Sequence, residues 1–162
     1  MMKVLKATSR TRLVGIAASV IGLLAATPAI ASDNVTVTVN ATVAEVCKFN
    51  SSTATLDLSN TGSGSEIDPS SATSATGSVG IIYRCSSGTA PAFTVPANVT
   101  LNNGSNTMVA TITSTGGGNG TGMGNTAANQ KTLTVSGSIA QSIFQDKAPG
   151  LYTNTMTVSI TP

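Results

Sequence analysis

NVTVTVNATV, residues 34–43, alternates without a break: Val35, Val37, Val39, Ala41 and Val43 share one side, while Thr36, Thr38, Asn40 and Thr42 share the other. A period of two is the pattern of a β-strand with one buried face. The pattern recurs at Val79, Ile81 and Tyr83, at Met108, Ala110 and Ile112, and at Leu133, Val135, Gly137 and Ile139. It returns in the closing stretch at Tyr152, Met156, Val158 and Ile160, and Ala92–Val95 is a short run stopped by Pro96. Clusters of Gly, Asn, Ser and Pro separate these runs, and no helical period is sustained. The fold class is therefore all-β, a sandwich or a barrel. A strand at a chain end needs a partner, in its own molecule or in another, and the alternation is the same in both cases.

What precedes residue 34 reads as a leader. Lys3, Lys6, Arg10 and Arg12 form a basic start, Leu13–Ala26 is almost wholly apolar, and Ala29-Ile30-Ala31 has the small-x-small form of a cleavage site. Residues 1–31 are expected to be a signal peptide. The alternative, an uncleaved anchor, needs a span of roughly 20 apolar residues, which this run does not reach. Removing the leader leaves 131 of the 162 residues, the size of one domain. It also reverses the charge. Lys48, Arg84, Lys131 and Lys147 then stand against Asp33, Glu45, Asp57, Glu66, Asp68 and Asp146. Without a basic patch or aromatic platforms, nucleic acid is not an expected partner.

Cys47 and Cys85 are the only cysteines, 38 positions apart. An even count in an exported chain favours one disulfide over a reactive thiol or a metal pair. Closing a loop of that length restricts the unfolded chain by about 4 kcal/mol in the entropy model.

The residues that catalysis would need are missing. The chain has no histidine, which removes ordinary serine and cysteine triads and imidazole zinc sites. GGGNGTGMG (116–124) lacks the spacing of a phosphate loop and reads as a floppy surface loop. Glu66 and Asp68 form an acid pair in a Ser/Gly-rich stretch with no aromatic platform, so a solvated loop is the simpler reading. The Asn-x-Ser/Thr triplets at Asn34, Asn40, Asn50, Asn98, Asn103 and Asn119 are expected by chance in so Asn- and Thr-rich a chain. No catalytic residue, metal or cofactor is expected. Residues 59–78 and 113–130 read as exposed loops, each with room for a short irregular strand, and DKAPGLY (146–152) reads as a tight turn into the last strand.

Three pieces taken together carry a resemblance: VTVTVNATVAEVCKF, GSVGIIYRCSSGTAPAFTV, and LTVSGSI with the closing APGLYTNTMTVSITP. They resemble the spore coat protein U domain of archaic (Csu-type) chaperone–usher pilins, over about Asn34 to Pro162. The resemblance implies an incomplete immunoglobulin-like β-sandwich that lacks a final strand and is completed by a donor strand from a neighbouring subunit. It implies a division into leader (1–31), donor strand (32–43) and pilin domain (44–162). Val35, Val37, Val39, Ala41 and Val43 would be the donor side chains, and Met156, Val158 and Ile160 one wall of the acceptor groove. Pro162 directly follows the last strand, which fits an expectation that completion comes from outside the subunit. The implied partners are copies of the chain or related pilins, a periplasmic chaperone and an outer-membrane usher, with a route through the periplasm to a surface pilus. Two alternatives use the same residues. One is a secreted monomeric sandwich binding a surface or carbohydrate, and the other is a spore-coat or matrix protein. Residues 34–43 are then the first strand of a complete domain.

Overall fold

The computed structural model describes residues 33–62 and 64–162; the leader reading, residues 1–31, lies outside them. Among the described residues seven strands form: β1 (Cys47–Phe49), β2 (Ala75–Cys85), β3 (Ala92–Thr94), β4 (Asn98–Asn103), β5 (Asn106–Gly116), β6 (Lys131–Ile139) and β7 (Ser159–Thr161). A 3-10 turn at Ala127–Asn129 and one helical turn, α1 (Gln141–Phe144), complete the regular structure. The fold is all-β. Five strands make an antiparallel sheet in the order β1-β2-β6-β5-β4, and β3 pairs with β7 in a second, two-stranded sheet.

The alternation read from sequence sets the faces of the large sheet. Tyr83 and Cys85 of β2, Met108, Ala110 and Ile112 of β5, and Leu133, Val135 and Ile139 of β6 are all buried on one side. The intervening outward positions are Thr and Ser apart from Arg84 and Val109. Against the apolar side pack Leu56, Leu58, Phe93, Met156, Val158 and Ile160. Tyr83 meets Phe93 edge to face, with ring centroids 5.0 Å apart.

Two glycines let one of the covering segments come close. Gly77 of β2 lies opposite Gly137 of β6, on the inward row. A Cβ on Gly77 would run into the carbonyl of Asp57, and one on Gly137 would sit 2.8 Å from Leu58 Cδ2 and 3.1 Å from Leu56 Cδ2. Gly80, on the outward row, would meet only the Thr132 methyl, at 3.1 Å. Gly77→Ala is therefore expected to destabilise by about 1–3 kcal/mol, the usual cost of overpacking, and Gly80→Ala by clearly less. Urea unfolding of the two variants side by side checks this.

The cysteines form the expected bond, Cys47–Cys85, and are also register partners between β1 and β2. Three expectations, two about loops and one about the closing strand, need correction. Residues 75–78 belong to β2 and 113–116 to β5, so both loops are shorter than their composition suggests. The glycine loop is not floppy but held in place. Gly120 N–H donates to the Thr89 carbonyl (2.7 Å), its carbonyl accepts from Gly88 N–H (2.9 Å), and Gly122 N–H donates to the Cys85 carbonyl (3.1 Å). A Cβ at Gly120 would strike the carbonyls of Cys85 and Ser86, so this glycine serves close approach. Finally, the closing run forms a strand only over Ser159–Thr161.

Residues 41–162 form one compact unit, distinct from the residues up to Asn40. Asp33–Asn40 are exposed, with no strand assigned.

Candidate functional site: an open apolar groove

Two chain segments run over the apolar face of the large sheet and leave a groove between them. One wall is Ser51–Leu58, which descends from Phe49, the partner of Tyr83, to Ser59, which bridges to Thr76. The other is Leu151–Val158, which starts at a bridge between Thr153 and Asn102 and rises to β7. The walls are thus antiparallel to each other. Val79 and Ile81, Val99 and Leu101, and Met108, Ala110 and Ile112 form the floor. Phe144, Lys147 and Pro149 close one end, and the enclosed volume is about 890 Å³.

Most of the backbone of both walls lacks strand partners, Thr153 at its bridge to Asn102 being the exception. Among the described residues, no hydrogen bond engages Ala54 through Leu58. Met156 and Thr157 stand in no ladder, and the Thr155 N–H donates only to the side chain of Asn154 (2.7 Å). Such backbone is edge-strand backbone, with donors and acceptors free to pair with another strand. The groove is therefore apolar in its floor and hydrogen-bonding along both sides, which suits an extended peptide with alternating apolar side chains.

Of the wall residues expected from the sequence, Met156 and Val158 line the groove. Ile160 lies beyond it in β7, opposite Phe93. The Ser51–Leu58 wall has no counterpart in the sequence reading. Its signal was present in the alternation of Ala54, Leu56 and Leu58, obscured by the Ser and Thr around them. On the N-terminal segment, Val35, Val37, Val39 and Val43 are 86%, 73%, 85% and 89% exposed, values rare for four valines within nine residues. Ala41 is exposed as well.

Electrostatics contribute little here. At the loop near the groove end, the Asp68 carboxylate accepts from the Ser70 hydroxyl (2.7 Å) and N–H (2.8 Å), which lowers its pKa. Burial raises the Tyr83 phenol, whose hydroxyl donates to the Gly118 carbonyl (3.3 Å). Among the described residues no cluster of three His, Cys, Asp or Glu side chains could hold a metal, and no helix is long and apolar enough to cross a membrane. No family model, curated protein or solved structure matches the chain.

Proposed function

We propose that the chain is a structural pilus subunit that polymerises head to tail by donor-strand exchange. The observation that carries this reading is the groove: an apolar floor between two walls whose backbone is largely without strand partners. A strand laid between them would pair on both sides and bury its inward row on Val79, Ile81, Met108 and Ile112. The segment 34–43 has the matching chemistry, an uncharged alternating stretch with its valines exposed. Its side chains from Val35 to Val43 would span about 27 Å as a strand, comparable to the about 23 Å of an extended eight-residue wall.

In this reading the domain is an incomplete immunoglobulin-like sandwich, as in the archaic chaperone–usher pilins that the sequence resembles. A donated strand differs from the groove that receives it, so the contact is heterologous; when it does not close on itself it generates a filament. A chaperone would hold the groove before assembly, an usher would exchange it for the next subunit's strand, and the filament would serve attachment and biofilm formation at the cell surface. The reading gives the chain no catalytic role and no cofactor.

Negative-stain microscopy of material exported from cells carrying the chain with its chaperone and usher tests this. Thin fibres, lost when residues 32–43 are deleted, are the expected result. Compact monomers alone would favour the monomeric surface-binding reading.

A further inference from the structure

Resting on the filament reading, we infer that Cys47–Cys85 and Ser86 form a load clamp that keeps the groove closed on its occupant when the fibre is pulled. In a fibre held by donated strands, tension enters each subunit through residues 44–46 and leaves through the walls that grip the next donor. The structure ties the entry point to the sheet. Ser86 N–H donates to the Val46 carbonyl (2.8 Å), Val46 N–H donates to Ser86 Oγ (3.1 Å), and Ser86 Oγ donates to the Ala44 carbonyl (3.2 Å). The disulfide follows at the next residue, Cys47.

What lies behind the clamp is weakly held. β1 is three residues long, sits at the sheet edge and pairs only with β2. After Asn50, whose N–H donates to the Ile82 carbonyl (2.9 Å), the chain becomes the Ser51–Leu58 wall. There Ala54–Leu58 make no hydrogen bond of their own, and the next backbone anchor is the Ser59–Thr76 bridge. Without a covalent tie, a pull on residues 44–46 would peel β1 and carry this wall away, opening the groove under load. With the tie, force passes from Cys47 to Cys85 at the end of β2. That strand is paired to β6 along nine register positions, from Ala75↔Ile139 to Tyr83↔Lys131. The bond thus routes tension into the middle of the sheet and around the wall.

Single-molecule pulling tests this on the whole exported chain. One handle is placed at the N-terminal extension and the other at Ser105, in the exposed β4–β5 turn, where an attachment is tolerated. Each folded molecule is stretched first oxidised and then after reductant is added. The oxidised chain is expected to show only its main rupture. The reduced chain is expected to keep that rupture and to gain an earlier step at lower force. Freeing the twelve residues 47–58 adds about 40 Å of contour at roughly 3.5 Å per residue, and the step is shorter than this by the distance the segment already spans in the fold. Ser86→Ala is expected to leave the oxidised trace unchanged and to lower the force of the new step in the reduced one. Identical traces with and without reductant would overturn the clamp. So would loss of the main rupture on reduction, which would make the bond a stabiliser of the whole domain. Fibres are not needed for this measurement, so the clamp and the filament reading fail separately.

Discussion

If the proposed donor-strand reading holds, moving residues 32–43 from the N-terminus to a position after Pro162, through a short flexible linker, is expected to give a stable monomer with its groove filled. The geometry favours the graft. The Leu151–Val158 wall rises into β7, which lies against β1, so a strand appended after β7 can turn back and descend through the groove beside that wall. It would then run antiparallel to that wall. Burying four valine side chains contributes about 6–12 kcal/mol before the cost of ordering the strand. The ordering cost is large, but new ladder bonds on both walls offset part of it. Linking also makes the pairing intramolecular, at an effective concentration of roughly millimolar. Each 1–3 kcal/mol of net gain moves a urea midpoint by about 1 M, and a shift of at least about 1 M over the chain simply lacking 32–43 is expected. Equal midpoints for the two proteins would mean that the groove does not take this strand, and the donor reading would fall.

The sequence made the centre of the fold legible and left its periphery obscure, for physical reasons. β2 and β6 are buried or half-buried on one face along most of their length and β5 is buried over Met108–Ile112, so each carries three or more inward apolar residues in strict alternation. β4 went unread because its inward row holds only Val99 and Leu101 among asparagines and a threonine. β7 is a strand for three residues because only there does β3 supply a partner. Sheet order was out of reach, since β2 pairs with β6 across some fifty residues and alternation says nothing about which strands meet. The glycine loop failed in another way. Composition reports that a backbone is free to bend but not that Thr89 and Cys85 wait to bond it. As for the groove, the floor residues of β2 and β5 were visible and those of β4 and the Ser51–Leu58 wall were not, and an unfilled space between two walls leaves no trace in a list of residues.

Val37→Asp and Val39→Asp are expected to abolish fibre formation, while Thr36→Asp and Thr38→Asp are expected to be tolerated. Successive side chains of a strand point to opposite faces, so if segment 34–43 fills a neighbour's groove, only one row reaches the floor. That floor is Val79, Ile81, Val99, Leu101, Met108, Ala110 and Ile112, and none of these side chains offers a partner to a carboxylate. An unpaired buried carboxylate costs several kcal/mol, enough to reduce pairing by a hundredfold or more. Aspartate on the threonine row would face away from the floor and stay hydrated. The exposed position of all four residues means that none of the substitutions should disturb the isolated subunit. On the proposed reading a chaperone would engage the groove and not the segment, so chaperone-bound subunit should accumulate normally for every variant. Fibre yield and chaperone-complex yield, measured together, separate the outcomes. Equal loss of fibres on both rows would remove the pocket-filling explanation. Loss of the chaperone complex in the valine variants alone would instead place residues 34–43 inside their own domain, as the first strand of a complete fold.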